Sequence, residues 1–369
     1  MSRRVWGTVA GAAGAAVTGA AVGAAARKHS QIAAERRRLA TELITGGDEP
    51  GTLPPGEPSS ITADDGVRIA CEELPAPDGR RPLLTVVFVH GFALDRRTWH
   101  FQRGMLADLD EPPVRQVLYD QRSHGRSERA PRESCTIEQL GRDLDAVIRT
   151  LAPEGPLVLV GHSMGGMTIM ALAEHRPELF TERVVGVALV ATSAGDVLNV
   201  GLQGALLSHR NPLLRGVGLL ARMQPKLVEA VRRGLGDIIW SITRSYAYGD
   251  RKIDGRLVDL VDTMISANAV DALTDFVDAV GTHDRVAALP ALVHCEVLVV
   301  AGDADRVIPF SHSEVISAEL PEAELVRVNG VGHMPMLERP AEVNDALVDL
   351  LLRSTRRTRS IVRRWRKRA

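Results

Sequence analysis

The sequence predicts an α/β protein: a mostly parallel sheet flanked by helices, with a helical cap inserted after the sixth strand. Three observations carry this. Short apolar, β-branched runs recur along the chain. Stretches of helical length fall between them. From about Asp196 to Leu289 the alternation stops and only helical patterning remains. Strands that alternate with helices pair in parallel, and burial on both faces makes them read as unbroken apolar runs.

The elements follow in order. Residues 46–60 (GGDEPGTLPPGEPSS) are Gly/Pro-rich and read as a linker, so the folded body is expected to begin near Ile61. ITADDGVRIACEEL then reads as two strands around an Asp65-Gly66 turn. LLTVVFV (83–89) is a third strand, and similar runs stand at Gln116–Tyr119, Leu157–Val160, Val184–Val190, Val297–Val300 and Leu325–Val328. IEQLGRDLDAVIRTLA (137–152) is a helix-like stretch between two of them. In the interrupted region, Leu213, Leu214, Val217 and Leu220, then Leu227, Val228, Val231 and Leu235, recur at helical spacing. The expected division is a core of residues 61–195 and 291–352, interrupted by a cap at 196–290. An N-terminal segment (1–45), the linker (46–60) and a basic tail (353–369) lie outside it. A cap at that edge of the sheet sits over the site.

Composition excludes several classes. Of 369 residues 45% are apolar and 25% charged, an ordinary globular balance that is neither disordered nor fibrous. Three scattered cysteines (Cys71, Cys135, Cys295), none in a CxxC pair, do not make a disulfide scaffold. The formal net charge of −1 hides a strong asymmetry. Residues 353–368 contribute +9, the first 38 residues +6, and the stretch between them therefore −16. No nucleic-acid partner is expected of such an acidic body.

Between the basic pairs Arg3-Arg4 and Arg27-Lys28 run 22 uncharged residues, Val5 to Ala26, rich in Ala and Gly and without Leu, Ile or Phe. A helix of that length just spans a hydrocarbon core of roughly 30 Å. Gly7 with Gly11, and Gly19 with Gly23, give GxxxG spacings suited to close helix approach. The segment reads as a membrane anchor. A signal peptide cleaved after Ala24-Ala25-Ala26, giving a secreted or cell-envelope form, and a plain Ala/Gly-rich tail are the rivals. The larger basic flank follows the segment, which places the catalytic body on the cytoplasmic side. In the tail, Ile361, Val362 and Trp365 would give a helix a small apolar stripe among arginines, suited to an anionic membrane surface.

The chemistry begins at Gly161-His162-Ser163-Met164-Gly165-Gly166. An apolar strand leads into it and a helix-forming stretch (MTIMALAEH) follows, the context a nucleophile elbow requires. A serine hydroxyl is a poor nucleophile at neutral pH and needs a base and an orienting acid, expected in the order Ser, acid, His. Asp303 and Asp305 follow the strand at 297–300, and His333 follows the strand at 325–328; both sets lie just past strand C-termini, where open α/β sheets place their sites. Asp305 would hold the His333 imidazole in the tautomer that takes the Ser163 proton, with Asp303 as competitor. His90, His124 and His162 read as structural. No HExxH or Cys/His cluster suggests a metal, and no GxGxxG follows a strand, so no cofactor is expected.

With these residues in view, the chain resembles the α/β-hydrolase superfamily, in the branch of capped serine esterases, lipases and cofactor-free haloperoxidase-like enzymes. The matching motifs are His90-Gly91-Phe92, DQRSHGRS (Asp120 to Ser127), GHSMGG, GDADRVIP and GVGHMPMLERP, in the right order over about residues 61–352. The resemblance implies an α/β-hydrolase fold and an oxyanion hole built from the main-chain N–H groups of Phe92 and Met164. Its spacing G-x-x-D-x-x-x-P selects Asp305. A serine at the elbow argues against epoxide hydrolases and haloalkane dehalogenases, which the family builds on an aspartate nucleophile. Ser123 departs from the family pattern, which has Gly there, and this bears on local loop geometry.

The expected function is hydrolysis of a carboxylic ester, with an apolar small-molecule substrate, through an acyl-enzyme. The same triad could serve perhydrolysis, or thioester or carbon–carbon bond hydrolysis, because fold and triad do not fix substrate. A reading of another class is a membrane-tethered, non-catalytic binding module with an occluded triad, distinguished by no turnover of short p-nitrophenyl esters. Trp240, Tyr246 and Tyr248, with the aliphatic stretches of 196–290, suit either an apolar acyl pocket or the cap's own core.

Overall fold

Eight strands form one sheet: β1 (Glu57–Thr62), β2 (Arg68–Leu74), β3 (Leu84–Val89), β4 (Val114–Tyr119), β5 (Leu157–His162), β6 (Val184–Val190), β7 (Glu296–Gly302) and β8 (Glu324–Val328). The structure is a computed structural model that describes residues 49–197 and 236–366, with residues 31, 34, 220, 223, 224, 226 and 228. The spatial order is β1-β2-β4-β3-β5-β6-β7-β8. β1 and β2 form an antiparallel hairpin, β2 runs antiparallel to β4, and every other pairing is parallel.

The apolar runs form strands because both sides of each are covered. Val87, Val89, Leu157, Leu159, Val187 and Leu189 pack with α2 (Ile137–Leu151) and α3 (Met164–His175), through Leu140, Leu144, Met167 and Ile169. The alternate residues, Val86, Phe88, Val158, Val160, Ala188 and Val190, join a second cluster with Trp99, with Leu106 of α1 (His100–Ala107) and with Leu347 and Leu350. Each buried Val, Leu, Ile, Met or Phe among them contributes about 1.5–3 kcal/mol through the area it removes from water. The Thr136 hydroxyl caps α2 by accepting from Gln139 N at 3.1 Å, which starts the helix where the sequence pattern does.

A buried ion cluster fixes the loop after β4. Arg122 is fully buried and donates from Nε and Nη2 to Asp143 of α2, both at 2.6 Å, and from Nη1 to Asp65 in the β1–β2 turn at 2.7 Å. Ser123, next to it, has φ +63°, the left-handed region where glycine is cheapest. Its hydroxyl accepts from Ala130 N at 3.0 Å, a bond glycine could not make.

Two boundaries differ from expectation. β1 starts at Glu57, four residues ahead of Ile61, because an edge strand tolerates Pro58. Ahead of it, residues 49–56 are strapped to the body. Gly51 N donates to His100 Nδ1 at 3.0 Å, Gly56 N donates to Glu72 at 2.6 Å, and Arg103 donates to the Pro54 carbonyl. Gly/Pro composition shows chain direction changes but not the side chains that wait for those backbone groups. At the other end, α10 (Pro340–Arg366) is continuous, so the basic stretch from Arg353 grows out of a core helix. Arg353 pairs with Glu296 and Glu324, and Arg357 with Glu296.

Helix α4 (Pro177–Glu182) precedes β6 and α8 (Ser311–Glu319) follows β7; between β6 and β7 lie α5 (Gly236–Ala247), α6 (Gly255–Ala267) and α7 (Val270–Gly281). Val258, Val261 and Met264 of α6 join the second core cluster. Asn268 ties the end of α6 to the loops after β3 and β4: its Nδ2 donates to Ala93 O at 2.9 Å and its Oδ1 accepts from Gly125 N at 3.2 Å. These helices thus lie against the C-terminal edge of the sheet. Leu213, Leu214, Val217, Leu227, Val231 and Leu235 lie outside the described residues, as do Val5–Ala26 and the side chains of Ile361, Val362 and Trp365. Among the described residues no helix is long and apolar enough to cross a membrane.

Candidate active site

Ser163 follows β5 and stands at the N-cap of α3 with φ +51° and ψ −118°. A non-glycine residue held there stores about 1–3 kcal/mol of strain. Its surroundings hold it. Ser163 N donates to Val190 O at 2.9 Å, and its carbonyl accepts from Gly166 N at 2.9 Å and Thr192 Oγ1 at 2.7 Å. The flanking glycines are required by close approach: a Cβ on Gly165 would lie 2.1 Å from Val89 O, and one on Gly161 would lie 2.6 Å from Gly165 O. The sharp turn lifts the hydroxyl clear while α3 directs its free N–H groups and positive end to the same spot.

The loop after β3 abuts the elbow. A Cβ on Gly91 would lie 3.2 Å from Ser163 Cβ and 2.6 Å from His162 Nδ1, so Phe92 N lies on the peptide next to the serine. His90 is buried and locks this loop. Its Nε2 must accept, because Gln121 N donates to it at 2.8 Å; its Nδ1–H therefore donates to Gly91 O at 2.8 Å. Gln121 closes the frame: its amide donates to His90 O at 2.7 Å and accepts from Thr168 Oγ1 of α3 at 2.9 Å. Sequence reasoning missed Gln121 and Thr168, whose roles depend on contacts across 31 and 47 residues of chain.

Asp305 and His333 meet. Asp305 Oδ2 accepts from His333 Nδ1 at 2.8 Å, while Asp305 Oδ1 accepts from Val307 N at 2.7 Å and Ile308 N at 2.9 Å. Asp303 does other work. It accepts from Gly330 N at 2.6 Å and pairs with Arg327, bracing the turn before His333. The two loops are joined directly through Ala304 N and Val331 O at 2.9 Å. His333 in turn rests on the residue before Ser163: its ring lies 4.8 Å from that of His162, and its carbonyl accepts from His162 Nε2 at 2.9 Å. Ser163, Asp305 and His333 are each buried at the same sheet edge; the hydrogen bonds join Asp305 to His333 and do not extend to Ser163 Oγ.

Burial sets the protonation of the surrounding histidines. It pushes His90 down to about 4 and His124 to about 3, and holds His162 well below the ordinary histidine value. These rings are neutral and structural at pH 7. Trp240 and Tyr248 are buried in the second core cluster, with Trp240 Nε1 donating to Asp259 at 2.9 Å and Tyr248 OH to Leu257 O at 2.8 Å, while Tyr246 is exposed. Among the described residues no group of three or more His, Cys, Asp or Glu side chains comes together to hold a metal ion.

Comparison with known proteins agrees with the fold. Residues 86–346 match the model of the alpha/beta hydrolase family. The mouse sn-1-specific diacylglycerol lipase ABHD11 is 28% identical over 276 residues, covering 74% of this chain and 83% of the relative. A thermophilic esterase from Thermogutta terrifontis superposes with a TM-score of 0.64 at 23% identity, covering 81% of this chain and all of that one. The enol-lactonase from Burkholderia xenovorans LB400 does so with a TM-score of 0.62 at 21% identity, over 80% of this chain and 100% of that one.

Proposed function

The chain belongs to the alpha/beta hydrolase family, and from that premise we propose that it hydrolyses carboxylic esters through Ser163, His333 and Asp305. The observation that carries the reading is the Asp305–His333 hydrogen bond of 2.8 Å at the edge where Ser163 is held in a strained elbow. Ser163 Oγ attacks the acyl carbon and passes its proton to His333 Nε2. Asp305 keeps Nδ1 protonated and stabilises the imidazolium. The N–H groups of Phe92 and Met164 receive the developing oxyanion; Met164 N–H, first in α3, has no intrahelical acceptor to compete for it. Collapse expels the alcohol, which takes the proton from His333, and water then enters by the same route in reverse and releases the acid.

The substrate in this reading is a small ester with an apolar acyl group, and the insertion of residues 196–290 acts as the cap that selects it. The relationship to a diacylglycerol lipase supports an ester as the substrate. Membrane association through residues 5–26 and the basic tail is part of the proposal, with the catalytic body on the cytoplasmic side and no nucleic-acid partner. The test is labelling by a fluorophosphonate probe, lost in Ser163→Ala, with turnover of p-nitrophenyl esters of increasing chain length, with and without residues 1–45. Absence of both labelling and turnover in the intact protein refutes the reading.

A further inference from the structure

Glu338 lies in the stretch Met334-Pro335-Met336-Leu337-Glu338, five residues after His333, and its side chain is buried at 5% exposure. Pro335 starts the single-turn helix α9 (Pro335–Glu338), which folds back so that Glu338 N donates to Met334 O at 2.9 Å and the carboxylate turns under the His333 loop. There it accepts only from backbone. Gly332 N donates to Oε2 at 3.0 Å, Asp250 N donates to Oε1 at 2.8 Å, and Gly249 N stands 3.1 Å from both oxygens. Gly332 is the peptide neighbour of His333; Gly249 and Asp250 follow the C-terminal end of α5.

The two backbone segments so joined are pressed together. A Cβ on Gly332 would lie 2.6 Å from Gly249 N, and one on Gly249 would lie 2.3 Å from Gly330 O. A second tether comes from the acid loop. Arg306, beside Asp305, donates from Nη1 to Ser245 O near the end of α5 at 2.8 Å. The end of this inserted helix thus touches both the loop that carries the acid and the loop that carries the base.

We infer that Glu338 is a positioning residue for His333, holding the imidazole loop and the end of the inserted helix α5 in one fixed arrangement. A carboxylate suits the place because every group facing it is a donor. A neutral amide there would turn its own N–H₂ against one or more of those N–H groups. Movement of α5 is thereby carried to the peptide next to the base, so the insertion acts on the histidine as well as on the substrate.

The inference rests on His333 being the base, and its test separates the two. Full-length wild type, Glu338→Gln and Glu338→Asp are compared on p-nitrophenyl acetate. Glu338→Gln is expected to lower kcat about 10- to 100-fold with KM within about threefold, since misplacing a base acts on the chemical step. Glu338→Asp, which keeps the charge but is one methylene too short to reach all three N–H groups, is expected to recover at least about threefold of that loss while staying below wild type. Independently of any substrate, the low-field proton on His333 Nδ1, assigned by its loss in His333→Gln, is expected to broaden or move upfield in Glu338→Gln. Wild-type kcat with an unchanged Nδ1 resonance in Glu338→Gln overturns the inference, and so does a kcat loss fully matched by the loss of folded protein. If Glu338→Gln does not fold, wild-type kcat in Glu338→Asp overturns it. A wild-type protein that neither labels nor turns over refutes the esterase reading, while the Nδ1 resonance still decides the clamp.

Discussion

Replacing Asp305 by Asn makes the sharpest demand on the proposed mechanism, because the surroundings dictate how the new side chain must sit. Val307 N and Ile308 N both donate to Oδ1, at 2.7 and 2.9 Å. The carboxamide oxygen must therefore stay at that position, and the N–H₂ group takes the place of Oδ2, 2.8 Å from His333 Nδ1. Two donors cannot face each other, so the imidazole must present Nδ1 as an acceptor and carry its proton on Nε2. In that tautomer it cannot take the Ser163 proton. The loss expected is about 10⁴ in kcat, or about 5.5 kcal/mol at about 1.36 kcal/mol per decade. Because both backbone bonds to Oδ1 survive, the free energy of unfolding should change by less than about 1 kcal/mol. The assay is kcat on p-nitrophenyl acetate, with urea unfolding of the same preparation. Asp303→Asn, which touches only Gly330 N and the exposed Arg327, is the control and should stay within about threefold of wild type. An Asp305→Asn enzyme within tenfold of wild type, or a crippled Asp303→Asn, refutes the assignment of the acid.

Two further outcomes concern stability. Arg122→Met leaves Asp143, 1% exposed, without its cation and should cost about 3–5 kcal/mol in urea unfolding, whereas Arg122→Met with Asp143→Leu should recover most of that loss; equal losses in the single and the double variant would contradict this. Acidification should destabilise the fold through His90 and His124, whose folded values of about 4 and about 3 lie below the unfolded value. The neutral rings contribute fully above pH about 6.5, and the contribution declines as pH falls toward the folded values, by about 2 kcal/mol per ring at pH 5. Thermal midpoints at pH 7.5, 6 and 5 should fall in that order, and a midpoint that stays level or rises speaks against buried neutral rings.

Most of the sheet was legible because its information is local. Runs such as Leu84–Val89 and Val184–Val190 are almost wholly apolar and buried at every position, which a strand covered on both faces needs. The elbow was legible for the same reason: strand, two glycines and helix former lie within a few residues of Ser163. The choice between Asp303 and Asp305 needed the family's spacing, since two residues on one loop differ only in which way they face. Glu338 and Gln121 stayed hidden, although both stand inside motifs read from the sequence. Apart from Gly332, six residues from Glu338, their partners lie 88 to 89 and 31 to 47 residues away and are mainly backbone groups, which carry no signature of their own. The docked strap at 49–56 was hidden by composition, since glycine and proline look alike in a free spacer and in a chain held by His100, Arg103 and Glu72.

The direction of α10 gives the molecule a front and a back. The helix starts at Pro340, close behind the His333 loop, and its Arg353 and Arg357 reach Glu296 and Glu324, the first residues of β7 and β8. It therefore runs from the catalytic edge of the sheet to the opposite edge. Its remaining nine residues, to Arg366, add about 14 Å of helix in that same direction. The strap at residues 49–56, by contrast, meets the body at His100, beside the loops of the catalytic edge. The described chain thus enters the body and leaves it at opposite poles. Whatever meets the far end of α10 therefore lies behind the sheet, away from Ser163 and His333, whereas whatever meets the strap lies on their side of the molecule.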